Sequence, residues 1–588
     1  MPRYADRLTP HLLRYIPLTA GVILDVGCGT GTLAAEYRRL NPRARIFGIE
    51  TDHAAATIAA PHLDGIARTE VADHPLPFAL PDGVDFILYR DVLEHLPDPW
   101  ALLRVQAELL NEDGTLLLCL PNDDHWRHAE RALRGLAVIC PEDPTEAHLD
   151  GNPTVPSLNS RLSHAHLSHA HLPRRLSIDR MCAGLATIGL TLCAVYPIIA
   201  DAADAAIFAG AMAPALQSLG IDPEAHARRS APLGYAWCVR KAQTELMTVA
   251  ASMLPPVGGV SHVRIVEPLQ AMATLPSVIT YLSPGGERER VDGHSPRIFV
   301  LHRPVLHGKN GLATIEALLR DDWLIVTEFD DHPDFFESMR GEGQFSFSGV
   351  HAVQTSTPTL AAVLRQRNPE VAVFPNAVRE LPDPCNFKVP GCLTLFFGAL
   401  NRENDWAPMM PALNAVAALV GDRLRFCVLH DRGFFDALET PHKSFTPICD
   451  YDTYMRLLGG CEISFMPLLD APFNRAKSDL KFIEAGACRV VPLASDIVYA
   501  ASIEDGRNGL LFRNAEEMRT RLMRLIVMPE VAFGLANAAR AHVASERMLA
   551  YQVAPRIRWY RSLWDRREAL TAALAARLGL KQDGFSQG

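Results

Sequence analysis

The sequence predicts an α/β protein with several parallel sheets, and two observations carry that prediction. Short apolar or β-branched runs alternate with segments of helical periodicity over residues 20–120, and the alternation starts again near residue 263 and continues to residue 494. Such alternation is typical of parallel strands joined by crossover helices. The chain also has 588 residues, which at about 150 residues per domain is too many for one hydrophobic core.

The first alternating series predicts a Rossmann-like, doubly wound sheet. Its predicted strands are Gly21–Val26, Arg45–Glu50, Ile66–Val71, Val84–Arg90 and Thr115–Leu120. Its predicted helices are Thr32–Leu40, Asp52–Ala60 and Pro99–Leu110.

The twenty uncharged residues Met181–Ala200 are long enough for a membrane span. Gly189 divides them, however, and favours a helix over Ile178–Ile188 followed by a buried strand over Thr191–Ile199.

The later series predict two further Rossmann-like domains that face each other across a cleft. The first has predicted strands at Val263–Ile265, Ser277–Ser283, Arg297–His302, Leu324–Thr327, Ala352–Thr355 and Val371–Phe374. The second has predicted strands at Leu393–Gly398, Leu424–His430, Ile463–Pro467 and Val490–Ala494. Paired prolines and paired glycines make Thr244–Gly259 the candidate linker. The predicted domains are residues 1–242, 260–380 and 381–560, with a linker at 243–259 and a C-terminal helix and tail at 561–588.

Charge and cysteine content exclude several classes of function. The 57 Lys and Arg residues against 67 Asp and Glu residues give a net charge of −10, whereas a dedicated nucleic-acid binder needs a strong basic excess. The twelve cysteines include no CxxC pair, which indicates reduced thiols rather than a disulfide framework or a zinc site. Residues 1–14 lack the apolar run of an export signal. We therefore expect a cytoplasmic protein without a transmembrane segment or a nucleic-acid partner.

A glycine-rich loop follows the first predicted strand. Gly27, Gly29 and Gly31 let the backbone turn sharply and approach a flat ligand. Glu50 ends the next predicted strand, where an acid can accept hydrogen bonds from ribose hydroxyls. This arrangement would also suit NAD, but Asp25 stands two residues before the first glycine and disfavours a pyrophosphate there. An acid at that position favours a cofactor with an α-amino group.

Residues 5–240 resemble the class I S-adenosylmethionine-dependent methyltransferases. The resemblance lies in five blocks that occur in order: 25–31 (DVGCGTG), Glu50, 71–73 (VAD), 85–96 (DFILYRDVLEHL) and 109–118 (LLNEDGTLLL). It implies S-adenosylmethionine as the cofactor, and it implies that Arg90 and Asp91 border the reacting methyl group. The implied cofactor-binding residues are Asp25, Gly27, Cys28, Gly29 and Gly31 in the loop, Glu50 at the ribose and Asp73 at the adenine amino group.

His95 is the candidate catalytic base in this domain. Its ordinary pKa suits the removal of a proton from a hydroxyl acceptor. The alternative is that Glu94 and His95 brace the helix that follows.

Four more histidines lie in the duplicated segment Ser163–Leu172, where alternating imidazoles could bind a metal. Because no carboxylate or cysteine stands at a fixed offset from them, we predict no metal site there.

A basic loop and an acid form a second candidate site. Lys477, Lys481 and Glu484 are three to four residues apart and would share one helix face. The segment lies between two predicted strands, so both lysines would flank a helix N-terminus at the carboxyl edge of a parallel sheet, which is a natural diphosphate site. One turn deeper, Glu484 could accept ribose hydroxyls. A solvated charge pattern on a helix surface is the alternative interpretation.

Residues 260–545 resemble the group 1 glycosyltransferases of the GT-B fold, which use nucleotide-diphosphate sugars as donors. The matching segments are 374–376 (FPN), 463–468 (ISFMPL) and 505–512 (DGRNGLLF). The resemblance implies that Lys477 and Lys481 neutralise the diphosphate, that Glu484 binds the nucleotide ribose, and that Arg402 assists. The family often has another glutamate eight residues before this one. Ala476 stands there instead, so the usual contact to the donor sugar is missing.

Asp330 and Asp331, near the end of a predicted strand, offer another interpretation of the same half. Paired acids can hold a divalent metal on a nucleotide sugar. A diphosphate site built on lysines conflicts with that role, and it favours a cleft-lining or acceptor-binding role for the two acids. Structural capping is an equal alternative.

Together these features predict a bifunctional transferase that uses S-adenosylmethionine and a nucleotide sugar. Its expected partner is a glycan or glycolipid acceptor, in the synthesis of a bacterial surface polysaccharide or glycolipid. A glycolipid acceptor would bring the protein into peripheral contact with a membrane. Two alternatives stay open: an NAD-dependent oxidoreductase in the first half, and a catalytically inactive glycan-binding module in the second.

Overall fold

The chain folds into two compact units in the computed structural model. The first contains residues 1–38, 43–244 and 274–276, and the second contains residues 39–42, 245–273 and 277–588. The structure describes residues 11–69, 80, 83–90, 92–96, 98–122, 124–135, 178–242, 245–253, 258–283, 295–340, 345–387 and 392–580.

The first unit is built on a seven-stranded sheet with the order β3-β2-β1-β4-β5-β7-β6. The strands are β1 Val22–Val26, β2 Arg45–Ile49, β3 Gly65–Ala67, β4 Val84–Arg90, β5 Leu110–Pro121, β6 Thr191–Ile198 and β7 Gly234–Arg240. All neighbours pair in parallel except β7, which is antiparallel to both β5 and β6. Its helices are Thr32–Leu40, His53–Ala59, Pro99–Leu109, Trp126–Leu133, Ile178–Thr187, Ala202–Ser218 and Pro223–Ser230.

Local signals set the bounds of these elements. Central strands β1 and β4 are mostly apolar and mostly buried, because helices cover both faces of a doubly wound sheet. The Asp52 carboxylate begins the helix His53–Ala59 by accepting the N–H groups of Ala54 and Ala55, at 2.8 and 3.2 Å. Gly189, with φ +73°, follows the helix Ile178–Thr187 and leads into β6.

The second unit contains two six-stranded sheets, each wholly parallel. The second sheet of the chain has the order β13-β12-β11-β10-β8-β9, and the third has the order β16-β15-β14-β17-β18-β19. The strands of the second sheet are β8 Met247–Met253, β9 Val278–Leu282, β10 Arg297–His302, β11 Leu324–Glu328, β12 Ala352–Thr355 and β13 Val371–Val373. Those of the third are β14 Leu393–Gly398, β15 Leu424–Leu429, β16 Lys443–Thr446, β17 Ile463–Met466, β18 Val491–Ser495 and β19 Leu510–Phe512.

Helices cover these two sheets. Those of the N-terminal half are Gly258–Ser261, Glu267–Met272, Gly308–Arg320, Phe345–Ser348 and Pro358–Arg365. Those that follow are Glu403–Trp406, Met410–Val420, Arg432–Ala437, Tyr451–Gly459, Pro472–Arg475, Leu480–Ala487, Asp496–Tyr499, Ala515–Val527, Pro529–Glu546, Ala550–Asp565 and Arg567–Leu578. The predicted fold class, one Rossmann-like sheet followed by two more, is confirmed.

Five predicted elements have the bounds that the sequence indicated: Thr32–Leu40, Val84–Arg90, Arg297–His302, Ala352–Thr355 and Leu393–Gly398. Other predictions were wrong. The proposed linker contains strand β8, which lies inside the second sheet between β9 and β10. The segment Val263–Ile265 belongs to a π-helical turn, because a run of three apolar residues does not distinguish strand from helix. Strand β6 lies at the sheet edge, and most of its residues are partly exposed rather than buried.

The C-terminal helices return to the second sheet. Tyr560 donates a hydrogen bond to the Gln354 side chain at 2.8 Å, and Leu574 lies in the same core as Val353 of β12. Residues 561–588 are predicted as a helix and a loose tail, and in the structure the helix Arg567–Leu578 of this segment packs against the core of the second sheet.

Among the described residues, no single helix is both long and apolar enough to cross a membrane. The neighbouring helices Ala515–Val527 and Pro529–Glu546 reach that length and composition only together, and a bend of 105° separates them.

Candidate functional sites

The glycine-rich loop of the first unit connects β1 to the helix Thr32–Leu40. Gly27, Gly29 and Gly31 have φ values of +80°, +57° and +77°, a region that glycine adopts without strain. A Cβ atom on Gly27 would lie 2.6 Å from the Arg90 carbonyl oxygen. The loop therefore lies directly against the end of β4.

Glu50, the residue after β2, holds this loop. Its Oε2 atom accepts the Gly29 N–H at 2.8 Å, and its Oε1 atom accepts the Asp52 N–H at 2.8 Å. The residue is 9% exposed. Both carboxylate oxygens keep further lone pairs, so a ligand hydroxyl group can still donate to them.

Asp25 and Arg90 form an ion pair beneath the loop. The Arg90 Nη2 atom lies 2.8 Å from Asp25 Oδ2, and both side chains are 0% exposed. The same nitrogen donates to the Cys28 carbonyl oxygen at 3.1 Å. Burial lowers the pKa of the Arg90 guanidinium and Asp25 raises it, and the ion pair prevails. We predicted Asp25 at the cofactor and Arg90 at the methyl group, and the structure joins the two side chains to each other.

The structure describes only some of the remaining predicted residues of the first unit. Cys28 is buried, burial raises the pKa of its thiol, and a Cβ atom on Gly48 of β2 would lie 2.7 Å from its sulfur. The turn Leu93–His95 includes His95. Asp73, Asp91 and the histidine repeat lie outside the described residues.

Lys481 and Glu484 lie on the helix Leu480–Ala487 of the second unit. Lys481 donates a hydrogen bond to the Gly398 carbonyl oxygen at the end of β14, which places it at the carboxyl edge of the third sheet. Glu484 is 3% exposed and accepts hydrogen bonds from the Tyr451 and Tyr454 hydroxyl groups, at 3.1 and 3.0 Å. Burial raises the pKa of Glu484 and lowers that of Lys481.

Lys477 precedes this helix instead of sharing its face, which corrects the prediction. Its Nζ atom lies 2.8 and 2.9 Å from the two carboxylate oxygens of Asp331. Asp331 follows β11 of the second sheet, so the ion pair joins the second and third sheets. Phe473 covers the ammonium group, with the ring centroid 4.2 Å from Nζ. Burial lowers the pKa of Lys477 and Asp331 opposes that effect.

Arg402 holds the loop that carries Lys477. Its Nη1 atom donates to Asn474 Oδ1 at 2.9 Å and lies 3.2 Å from Asp405 Oδ2. Asn474 in turn donates to Asp405 Oδ1 at 2.7 Å. The predicted assisting residue thus lies beside the predicted diphosphate residues, in a closed network of hydrogen bonds.

The two neighbouring acids have different partners. Arg303 lies 2.7 Å from Asp330 but 3.7 Å from Asp331. Arg303 follows β10 with φ +45°, a rare value for a residue with a side chain. Asp330 is therefore committed to Arg303, whereas Asp331 faces Lys477. In the described part of the chain, no group of three or more His, Cys, Asp or Glu side chains is arranged to hold a metal ion.

Sequence reasoning missed the two tyrosines that bind Glu484. The signal was Asp450, which caps the helix Tyr451–Gly459, followed by Tyr451 and Tyr454 at a spacing that shares one helix face. It also missed Gly259, where a Cβ atom would lie 3.1 Å from the Tyr451 ring. A strand followed by prolines, glycines and a helix was the signal for that close approach.

Both sites lie where the strands of a doubly wound sheet end, which is where this class of α/β domain binds nucleotides and cofactors. Residues 1–182 match the family model described as Methyltransferase domain. The N-terminal part of the chain is a methyltransferase domain, as predicted.

Among curated proteins, the ubiquinone biosynthesis O-methyltransferase of Albidiferax ferrireducens is 31% identical over 121 residues, which are 19% of this chain and 47% of that protein. The chain spans about half the length of the curated relatives that it first matches.

Solved structures similar to the chain include two that cover 54% of it. They are Anabaena HepE in complex with UDP, with 15% identity, a TM-score of 0.38 and 100% of that chain covered, and sucrose-phosphate synthase from Thermosynechococcus elongatus, with 14% identity, a TM-score of 0.39 and 99% covered. Both TM-scores are below 0.5, so these structures do not indicate the function of the second unit.

Proposed function

We propose that the chain is a bifunctional transferase: an S-adenosylmethionine-dependent methyltransferase over residues 1–242 and a nucleotide-sugar-dependent glycosyltransferase over residues 245–580. Domain 381–560 would bind the nucleotide, and residues 245–380 would form the acceptor side. The distance of 2.8 Å between Glu50 and the Gly29 N–H supports the first activity. The hydrogen bonds from Lys481 to the end of β14 and from two tyrosines to Glu484 support the second.

The loop residues fit S-adenosylmethionine. Gly27 and Gly29 form the left-handed turn beside which the methionine end would lie, and Glu50 offers two acceptor oxygens to the ribose hydroxyls. When bound, the cofactor would supply a methyl group on a sulfonium, with the neutral thioether as the leaving group. The protein's part is to align the acceptor with that group, and we assign removal of the acceptor proton to His95. Asp73 would bind the adenine amino group.

The test of the first activity is a titration with S-adenosylhomocysteine and, separately, with NADH. A ligand that binds only the folded state raises the melting temperature according to its concentration over Kd. We expect S-adenosylhomocysteine to raise it and NADH to leave it unchanged. Tight binding of NADH alone would favour the oxidoreductase and contradict the proposal.

The second site fits a nucleoside diphosphate. Lys477, Lys481 and Arg402 present three cations at the edge of the third sheet, and Glu484 is positioned among hydroxyl groups that a ribose could join. In sugar transfer, the bond between the anomeric carbon and the diphosphate oxygen breaks, while the acceptor hydroxyl oxygen bonds to that carbon and its proton passes to solvent. The lysines would stabilise the charge that develops on the leaving diphosphate.

A melting-temperature series with UDP, GDP and dTDP tests this site. We expect at least one of them to stabilise the second unit, and Lys481→Met to abolish the effect because it removes a cation at the edge of β14.

Ala476, which is buried in the core of the second sheet, favours a second candidate function, a glycan-binding module without transferase activity. Binding of glycans without release of nucleoside diphosphate from any donor would establish that alternative.

The acceptor of both activities is proposed to be a glycan or glycolipid in the synthesis of a bacterial surface polysaccharide or glycolipid. The eleven cysteines in the described part of the chain are all free thiols, which supports a cytoplasmic location, where thiols stay reduced. With a glycolipid acceptor, we expect peripheral contact with the membrane.

A further inference from the structure

The proposed diphosphate loop lacks an acid for the donor sugar. Ala476, directly before Lys477, is 1% exposed and packs in the core of the second sheet. A sugar presents mainly hydroxyl groups, and a carboxylate is the strongest neutral-pH acceptor for them because it is ionised. Another part of the fold must therefore supply that acceptor if the sugar is to be held.

Asp331 is the acid that pairs with Lys477 of the diphosphate loop. Both of its carboxylate oxygens lie within 2.9 Å of the Lys477 ammonium, although the two residues are 146 positions apart. Its side chain is 8% exposed, against 21% for Lys477. Asp330, by contrast, is held by Arg303 at 2.7 Å. Of the two acids, Asp331 alone has a partner that a diphosphate would take over.

Once a diphosphate had displaced Asp331 from Lys477, the Asp331 carboxylate would be well placed to bind the donor sugar. A diphosphate that binds the ammonium brings its own negative charge, so the lysine no longer needs the carboxylate. Arg303 lies 3.7 Å from Asp331, so the carboxylate would still have a cation nearby. The sugar of a nucleotide-diphosphate donor is bonded directly to the terminal phosphate, so its hydroxyls lie within one sugar ring of the lysine.

We propose that Asp331 binds hydroxyl groups of the donor sugar, and that it supplies from the second sheet the carboxylate that position 476 lacks. This inference rests on the proposed glycosyltransferase activity. Before the donor binds, Asp331 pairs with Lys477. When the diphosphate occupies Lys477, Asp331 accepts hydrogen bonds from the sugar. Asp331 is thus a residue for donor specificity, and it joins the two sheets around the donor.

The test compares each nucleoside diphosphate with its sugar conjugates in the full chain. Dissociation constants are measured by calorimetry for UDP, UDP-glucose, UDP-galactose, UDP-N-acetylglucosamine, GDP and GDP-mannose. The wild type should bind at least one conjugate about tenfold more tightly than the free diphosphate, the effect expected of a hydrogen bond to a charged group. Asp331→Asn should bind the free diphosphate at least as tightly as the wild type, because the competing carboxylate is gone. It should lose the tenfold preference for the conjugate.

The controls separate this role from a structural one. Asp334→Asn changes a more exposed acid that pairs with Arg367 and should leave all constants unchanged. Asp331→Glu keeps the charge and should retain part of the sugar preference. An Asp331→Asn variant that retains the full preference, or that weakens free diphosphate and conjugate equally, would overturn the inference and leave the proposed activity standing. A wild type that binds neither UDP nor GDP would contradict the proposed activity itself.

Discussion

Two ion pairs with the same contact distance lie at the two candidate sites, and they differ in exposure. Asp25 and Arg90 are 2.8 Å apart with both side chains fully buried. Lys477 and Asp331 are also 2.8 Å apart, but their side chains are 21% and 8% exposed. The first pair connects neighbouring strands of one sheet, whereas the second connects two sheets.

The difference separates a structural pair from one that a ligand can displace. A fully buried ion pair cannot exchange its partner for water, and loss of one member leaves an uncompensated charge in the interior. Arg90 also binds the Cys28 carbonyl oxygen, so this pair supports the glycine loop from below. The Lys477–Asp331 pair keeps some contact with solvent, at 21% and 8% exposed, and can exchange its partner at a lower cost than the fully buried pair. We therefore expect the first pair to act mainly on the stability of the fold and the second to act mainly on ligand binding.

The largest expected effect is that of Arg90→Met on stability. Removal of one member of a buried ion pair costs about 3–5 kcal/mol, because Asp25 would stay buried without a cation. Chemical denaturation should show this loss for the first unit, together with loss of S-adenosylhomocysteine binding. Arg127→Met is the matched control, since its side chain is 44% exposed and its partner Asp201 is 38% exposed. That variant should change stability by less than about 1 kcal/mol. Equal effects of the two variants would show that the buried pair is not structural.

Removing both charges should have a smaller effect than removing one. The double variant Asp25→Asn and Arg90→Gln leaves no uncompensated charge, and we expect it to recover about half of the stability lost in Arg90→Met. Its affinities for S-adenosylhomocysteine and for methylthioadenosine should fall by the same factor, because the pair acts through the loop. Methylthioadenosine lacks the methionine ammonium and carboxylate. A loss confined to S-adenosylhomocysteine would instead show that Asp25 contacts the ammonium group directly.

Lys477→Met should affect ligand binding much more than stability. Asp331 would still have Arg303 at 3.7 Å, so the unfolding free energy should fall by only about 1 kcal/mol. The dissociation constant for UDP or GDP should rise about tenfold or more, because a cation is lost from the diphosphate site. Arg475→Met, two residues earlier, changes a side chain that is 64% exposed and should leave both quantities unchanged. A loss of stability as large as that of Arg90→Met would contradict the distinction between the two pairs.

The features that could be predicted from the sequence are those set by residues close together along the chain. Spacing within one strand-helix unit determines where three features occur: the glycine loop, Glu50 at the end of the next strand, and the helix that carries Lys481 and Glu484. Their places at the sheet edges follow from the alternation of strands and helices.

Contacts between distant segments were beyond sequence reasoning. Arg90 meets Asp25 because β1 and β4 are neighbours, and that neighbourhood depends on the order of all seven strands. Asp331 meets Lys477 because two separate sheets approach each other. Strand β8 was missed for a different reason: the prolines and glycines after it dominate the segment, although they mark the end of a strand as well as they mark a linker.

His351, a buried ionisable group without an ion pair, should have the smallest effect on stability, and it extends the comparison between the two ion pairs. Burial lowers the pKa of His351 to about 3, and its Nδ1 atom accepts the Ile325 N–H at 2.9 Å. The unfolded chain binds a proton at this histidine below pH 6.5, whereas the folded chain does not, so stability falls as the pH falls. Between pH 7.5 and pH 6.0 the contribution is roughly 0.8 kcal/mol. Denaturation of the second unit at the two pH values should show this loss, and His351→Gln, which keeps an acceptor but cannot titrate, should reduce it. An unchanged pH dependence in that variant would mean that the imidazole is protonated inside the fold, and that burial alone does not fix the charge of a group in this protein.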